Sequence, residues 1–297
     1  MTATTGVAEG AIDPQDEREP RSAADIALGL PRAVVRRLAS LGHQVTFYGN
    51  AYAASPKALR RYRREVLRLL AEVSLGSGAL ALIGGTVVVV GFLTAAGGVE
   101  IGLQGYTSLG NIGVGALAGF ISAYFNTREA APLLAGIALT ATVGAGFTAE
   151  LGAMRVSEEI DALEVMAVPS VPFLVSTRIV AGFFAVIPLF SMAVIMSFAA
   201  TRLVVTLGFH QAAGTYEHYF STFLQPVDLL YSLAKAAGMA VAVISICCYY
   251  GFHASGGPAG VGQAVGKAVR TSLVAVATID LVVGVALYGS QTLHLAG

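Results

Sequence analysis

Long apolar runs separated by short polar stretches make up most of the chain after residue 72. The first run, Val73 to Val99, carries no ionisable side chain over 27 residues, and an α-helix needs about 20 residues to cross the hydrocarbon core of a bilayer. Five further runs lie at Leu109 to Phe125, Ala130 to Ala149, Ile179 to Thr201, Leu229 to Phe252 and Thr271 to Ser290. This pattern predicts an all-α, polytopic integral membrane domain over residues 73–297.

The positions of Lys and Arg predict which polar stretches face the cytosol, because cytoplasmic loops are enriched in positive charge. A strongly basic segment precedes Val73 and is expected to be cytosolic. Placing residues 150–178 on the same side adds Arg155, Arg178, Lys267 and Arg270 to that face, leaving Arg202, and at most also Lys235, outside.

This orientation puts three apolar runs between two cytosolic stretches, although three full crossings would end outside. Either one run fails to span or two runs merge, and the candidates are the glycine-rich first run and the short second run. We therefore expect five crossings, with a cytosolic N-terminus and an extracytoplasmic C-terminus.

The basic segment, residues 31–72, has an apolar face at helical spacing, formed by Leu59, Tyr62, Val66, Leu69, Leu70 and Val73. This pattern is typical of an interfacial helix with its cations near anionic headgroups. The cations assigned to this role are Arg60, Arg61, Arg64 and Arg68. A helix on a soluble core is the alternative, but an apolar run follows directly.

Residues 1–30 are acidic, contain prolines and lack the features of a signal peptide, so we expect a disordered cytosolic tail.

Composition supports a membrane protein. The chain is 55% hydrophobic and 12% charged, with a mean hydropathy of +0.71 and 35 glycines, which is too apolar for an ordinary soluble domain. The formal net charge is zero, so charge gives no reason to expect a nucleic-acid partner. Cys247 and Cys248 are adjacent within an apolar run and are interpreted as packing residues.

One acidic stretch, ELGAMRVSEEIDALEVMAVPSVPFLVSTR, lies between two apolar runs. With Ser157 as N-cap, Glu158 and Glu159 would occupy the first turn of a helix, where carboxylates favour the helix dipole. Pro169 would end this helix and Pro172 would prevent its resumption. An apolar arc is predicted at Val156, Ile160, Leu163 and Ala167, with Asp161 and Glu164 off it. The charged face suits docking to a basic groove on a partner; an ordinary solvated loop helix is the alternative.

Three motifs carry a resemblance to a known family. The segments TAELGAMRVSEEIDALEVMAV, LQGYTSLGN and ASGGPAGVGQAVGKAVRTS resemble the YrbE/MlaE family of ABC-transporter permeases, which work with MCE (mammalian cell entry) proteins. The likeness runs from about Leu59 to Gly289. It implies an interfacial elbow helix, five transmembrane helices and a cytosolic coupling helix, at Ser157 to Val168, that sits in a groove of the ATPase subunit. The coupling residues implied here are Ser157, Glu158, Glu159, Asp161, Leu163, Glu164 and Met166.

The chain departs from the commoner family pattern at two places. It has Arg128, Glu129, Ala130, Ala131 and Pro132 where many members read Arg-Glu-Leu-Gly-Pro, and Thr142 where they carry an arginine. Together with AASPKALRRYRREVLRL and GTYEHYFSTFLQPVD, this resembles the B-type half of actinobacterial YrbE pairs. The resemblance therefore implies a heterodimer with an A-type permease, with an ABC ATPase dimer inside, MCE proteins outside and a lipid cargo such as a fatty or mycolic acid or a sterol.

Catalytic chemistry within the chain is not expected. The stretch VGQAVGKA has Val261 and Ala268 where a phosphate-binding loop needs Gly and Ser or Thr, so ATP and Mg²⁺ would be bound by the partner ATPase, and no cofactor or metal is predicted here. The five histidines show no ligand-like spacing, apart from His218 beside Glu217. An intramembrane enzyme lacks a convergent nucleophile and base.

Charges near the membrane remain to be explained. Asp280 lies within the last apolar run and should face the protein interior; a structural hydrogen bond is favoured over a proton relay. Arg128 and Glu129 are expected at a turn or a cytosol-side break, where they could also shape a dimer interface. Residues 216–228 are predicted to form an external interfacial helix that contacts a partner.

The main functional prediction is that the chain is the permease subunit of an ATP-driven lipid importer. The alternative is a proton-coupled secondary transporter.

Overall fold

The computed structural model describes residues 23–75 and 85–289, with side-chain environments from residue 42 to 73 and from 85 to 289. This part of the chain is helical and has no strand, so the all-α prediction is confirmed. The predicted tail falls outside the described residues up to position 22. A helix begins at Ala23, so the tail boundary drawn at residue 30 lies inside a helix.

The basic region forms two helices, α1 (Ala23–Arg61) and α2 (Arg63–Leu75), that meet at a bend at Tyr62. The part of α1 up to Thr46 is a compact unit of its own. In the rest, the predicted apolar face divides at the bend. Val66, Leu69 and Val73 of α2 are buried, whereas Leu59 of α1 is exposed.

Five helices within the described residues are long and apolar enough to cross a membrane. They are α3 (Thr86–Asn111), α4 (Gly115–Val156), α6 (Val171–Gly208), α8 (Pro226–Phe252) and α9 (Gly257–Tyr288). The predicted number of spans is therefore confirmed. The second and third apolar runs merge, because the second contains the turn at 112–114 and then continues into α4 without a break.

Two short helices connect the spans at opposite ends of the bundle. The helix α5 (Glu159–Val165) joins α4 to α6, and α7 (Ala213–Phe223) joins α6 to α8. Because successive spans alternate in direction, α5 lies at the end where α3 and α9 begin. We call this the α5 end, and the end that carries α7 and the turn at 112–114 the α7 end.

Small residues allow close packing of the spans, as is usual for membrane helices. At Gly98 of α3, an added Cβ atom would lie 2.4 Å from the backbone oxygen of Ser197 in α6. The Thr201 hydroxyl of α6 donates to the Gly98 carbonyl at 2.8 Å and accepts from the Asn126 amide of α4 at 2.9 Å. Glycine at position 98 therefore sets the distance between α3 and α6, and Thr201 ties both to α4.

We predict that Gly98→Ala lowers the thermal stability of the purified protein, because the clashing atom belongs to backbone that cannot rotate away. Overpacking of this kind costs about 1–3 kcal/mol, and thermal unfolding in detergent would measure it. Gly146→Ala in α4 is the matched control, since an added Cβ atom there meets nothing within 4 Å. Equal melting temperatures for the two variants would contradict the proposed close contact.

Candidate functional site

The segment predicted to be a coupling helix contains a helix, but a shorter one that begins later. The helix α5 has seven residues, Glu159–Val165, instead of the predicted span from Ser157 to Val168. Ser157 is not its N-cap: the Ser157 amide donates to the Ala153 carbonyl and ends α4. The chain then turns at Glu158, which has a left-handed φ of 62°, because only two residues separate the helices.

One face of α5 is held by the rest of the protein. Ile160 is fully buried, and Leu163 is half-buried against the main core. Two of the predicted docking acids have partners in this chain: Arg155 donates to Asp161 at 2.6 Å, and Ser170 donates to Glu164 at 2.6 Å. These contacts fix α5 to the end of α4 and to the start of α6.

The opposite face of α5 is apolar at its tip. Val165 is 88% exposed and Met166 is 65% exposed, and Glu158 and Glu159 are exposed where the helix begins. Val165 was missed because the sequence analysis looked for charge. The sequence could have indicated Val165, because it is a large apolar residue that lies off the arc of Ile160 and Leu163, among mostly polar neighbours.

The start of α6 differs from the prediction. Pro172 does not prevent a helix; it lies in the first turn of α6, where its missing N–H costs no hydrogen bond and its fixed φ favours the helix. Further along α6, the Arg178 side chain is 2% exposed and forms an ion pair with Glu150 of α4 at 2.8 Å. Its guanidinium also donates to the Leu174 carbonyl and lies 5.3 Å from the centre of the Phe147 ring.

The segment of α1 after residue 46 is also held at this end. The Ser176 hydroxyl of α6 donates to the Ala51 carbonyl at 2.8 Å, and the hydroxyls of Tyr52 and Ser245 are 2.7 Å apart. The cations predicted to face headgroups, Arg60, Arg61, Arg64 and Arg68, are all exposed. Arg68 is paired with Glu65 within its own helix.

A second group of charged residues lies nearer the α7 end, inside the bundle. Arg128 and Glu129 do not mark a turn or a break, because both lie in the continuous helix α4, in a widened π-helical segment at Ser122–Ala130. Arg128 forms a buried ion pair with Asp228 of α8 at 2.8 Å. Its guanidinium lies over the rings of Tyr124 and Tyr288, at 4.1 and 4.5 Å from their centres.

Lys235 is the centre of this group. Its side chain is fully buried rather than external, and its Nζ lies 2.7 Å from Asp280 of α9 and 3.2 Å from Glu129 of α4. It also donates to the Arg128 carbonyl at 2.9 Å. Asp280 therefore has an ion-pair partner on a neighbouring helix, which the residues of its own run could not reveal. Lys235 joins α4, α8 and α9.

The segment predicted as an interfacial helix, residues 216–228, is divided between α7, which ends at Phe223, and the start of α8. Tyr216 is buried and donates to the Ser122 hydroxyl of α4 at 2.7 Å, and burial raises the pKa of its own hydroxyl. Asp228 belongs to the buried charge group. Glu217 forms an ion pair with Arg202. No group of three His, Cys, Asp or Glu side chains in the described ranges could hold a metal ion.

This arrangement defines a class of protein: a polytopic membrane protein with five apolar helices and a short helix exposed between two of them. A family model described as "Permease MlaE" matches residues 76–286, which is more than half of the chain. The chain belongs to the MlaE permease family. The predicted family is thereby confirmed.

Curated relatives agree with this assignment. The chain is 30% identical over 184 residues to a "Probable ABC transporter permease protein" of Rickettsia bellii, covering 62% of this chain and 71% of that protein. It is 32% identical over 151 residues to a similarly named protein of Synechocystis, covering 50% and 57%. It is 26% identical over 185 residues to the Arabidopsis thaliana protein TRIGALACTOSYLDIACYLGLYCEROL 1, chloroplastic, covering 62% and 53%. Permeases of ABC systems work with a separate ATPase.

We predict that Lys235→Met destabilises the protein strongly, because it leaves the carboxylates of Glu129 and Asp280 without a cation inside the bundle. Removing one partner of a buried ion pair costs about 3–5 kcal/mol, and thermal unfolding in detergent would measure the loss. Arg202→Met is the control, because its exposed ion pair should contribute less than about 1 kcal/mol. Similar losses in the two variants would show that Lys235 does not hold the charge group together.

Proposed function

We propose that this chain is the membrane-spanning subunit of an ATP-driven MCE lipid importer, in which an ATPase on separate chains moves the spans through α5. The observation that carries the proposal is the division of α5 into a fixed face and an exposed apolar tip. Ile160 anchors the helix to the core, and Val165 and Met166 point away from it. Two adjacent large apolar side chains, exposed on a connection outside the spans, favour a contact with a partner.

The contacts around α5 suggest how a push on its tip would reach the spans. The helix is joined directly to α4 and α6, and the ion pair between Glu150 and Arg178 links the same two spans within two to three helical turns of it. A displacement of α5 would thus move the ends of both spans together. The charge group around Lys235 would resist movement in the half nearer the α7 end.

The proposed membrane orientation places α5 in the cytosol. The exposed cations of α1 after residue 46, of α2 and of the start of α9 lie at the α5 end. In the half nearer the α7 end, Arg128 and Lys235 are buried and paired, and the exposed Arg202 is paired with Glu217. This asymmetry fits the preference of cytosolic surfaces for positive charge. The N-terminus would be cytosolic, the C-terminus extracytoplasmic and the membrane the plasma membrane.

The partners are proposed from the resemblance of the sequence motifs. They comprise an A-type permease in a heterodimer, an ATPase dimer that binds ATP and Mg²⁺, and extracytoplasmic MCE proteins. The B-type role is supported by the departure from the commoner motif at Ala130 and Ala131, which follow Glu129 in α4. Proton-coupled secondary transport has less support, because Asp280 is paired with Lys235 and the family consists of ABC permeases.

Docking through α5 can be tested with Val165→Asp. A charge at a buried interface anchor should cost at least about 2 kcal/mol, or roughly 30-fold in affinity, so the ATPase should be lost when the complex is purified through the permease. Ile112→Asp is the matched control, because Ile112 is 72% exposed in the turn at the α7 end. Co-purification and ATP turnover are the measurements. Unchanged assembly of the Val165→Asp variant would exclude this tip as the docking surface.

The orientation can be tested by cysteine labelling in the otherwise unmodified chain, because Cys247 and Cys248 are fully buried. Ser157→Cys should react with a membrane-impermeant maleimide only in inside-out vesicles, and Ile112→Cys only in right-side-out vesicles. Labelling is measured by gel shift after excess thiol has quenched the maleimide and detergent has then dissolved the vesicles. Reaction of Ser157→Cys in right-side-out vesicles would reverse the proposed topology and with it the coupling role of α5.

A further inference from the structure

A cavity of about 540 Å³ lies between the last turns of α1 and the stretch that leads from α5 into α6. Asn50, Lys57 and Arg61 line one side, and Ala167, Pro169 and Pro172 line the other. Tyr62 also lines the cavity, and its ring packs edge-on against Phe173, with 5.1 Å between the ring centres. The cavity therefore borders the connection between α5 and the first turn of α6.

The charge in this cavity has one sign. Lys57 and Arg61 are four residues apart and so share a face of α1, and no acidic side chain lines the cavity. Within the described ranges, no ion pair involves Lys57 or Arg61. Two exposed cations on one wall, with no carboxylate among the lining residues, favour an anionic ligand.

The opposite wall offers few hydrogen-bond donors. Pro169 and Pro172 have no N–H group, and the amides of Ala167 and Val168 already donate to the carbonyls of Glu164 and Leu163. The ligand must therefore place its anionic part against Lys57 and Arg61 and an apolar part against alanine, valine and proline side chains. A phosphate next to a glycerol ester has this division, whereas an acidic protein side chain has a much smaller apolar part.

We propose that this cavity binds the phosphate of an anionic phospholipid headgroup from the leaflet that faces α5, and that the bound lipid holds the stretch after α5 against α1. Arginine and lysine pair with phosphate through charge-assisted hydrogen bonds. The choice of leaflet rests on the proposed orientation, but the binding does not require the ATPase. Lipid composition would then influence how firmly α5 is connected to the rest of the protein.

The test compares two double variants of the full-length permease in nanodiscs that contain equal amounts of phosphatidylglycerol and phosphatidylcholine. Lys57→Gln with Arg61→Gln removes the cations of the cavity. Lys267→Gln with Arg270→Gln is the matched control, because it removes the same charge from exposed residues outside the cavity lining. Native mass spectrometry of the protein released from the nanodiscs measures the phosphatidylglycerol retained.

We expect the cavity variant to lose its preference for phosphatidylglycerol by at least about 30-fold, because two charge-assisted hydrogen bonds to the phosphate are lost, and the control to retain bound lipid. Ala53→Glu, which adds a carboxylate to the lining and keeps both cations, should cause the same loss. Melting temperatures in pure phosphatidylcholine should be equal for all variants, which shows that they are folded.

Three results would overturn the proposal. Equal loss in both double variants would indicate a diffuse electrostatic effect instead of a site. Equally tight binding of soluble glycerol phosphate would indicate a site for a free phosphate ester. Loss of the ATPase with retention of lipid would indicate that the cavity docks a protein. Since lipid retention is measured without nucleotide or ATPase, it stands or fails separately from the effect of Val165→Asp.

Discussion

The structure depends on the requirement that a charge inside an apolar bundle be paired, because an isolated charge is costly in hydrocarbon. Each of the cations Arg128, Arg178 and Lys235 meets a carboxylate on another helix. The helix α4 supplies one member of an ion pair in all three cases, and it has the largest buried share among the five spans. It is thus the helix to which α6 and α8 are attached by ion pairs, and α9 joins this group through the pair between Asp280 and Lys235 of α8.

This arrangement divides the molecule along the membrane normal. In the half nearer the α7 end, two cations and three carboxylates bind α4, α8 and α9 together through Lys235 and Arg128. At the α5 end, a single ion pair and a few hydroxyl hydrogen bonds link α4, α6 and α1. The half nearer the α7 end is thus held mainly by buried charge, whereas the α5 end is held by one ion pair between spans, hydroxyl hydrogen bonds and apolar packing.

The sequence was sufficient for the helical class, the family and the number of spans, because each depends on apolar runs of known length or on long motifs. It was insufficient where two distant parts of the chain meet. The partner of Asp280 is on α8, 45 residues away along the chain, and no periodicity within α9 could reveal it. Ser157 was misassigned because serine is common at helix starts, whereas the two-residue connection required it to end α4. The exposure of Val165 depends on which side of α5 meets the core.

The two ends of the coupling segment share an unusual backbone geometry. Glu158 precedes α5 with a φ of 62°, and Ala167 follows it with a φ of 59°. A residue other than glycine in this region costs of order 1–3 kcal/mol, and such residues persist where surrounding contacts enforce them. The helix α5 is therefore bracketed by two residues with strained backbone. Under the coupling role proposed above, relaxation of either residue would release this strain as α5 is displaced, so the chain itself would supply part of the energy for that displacement.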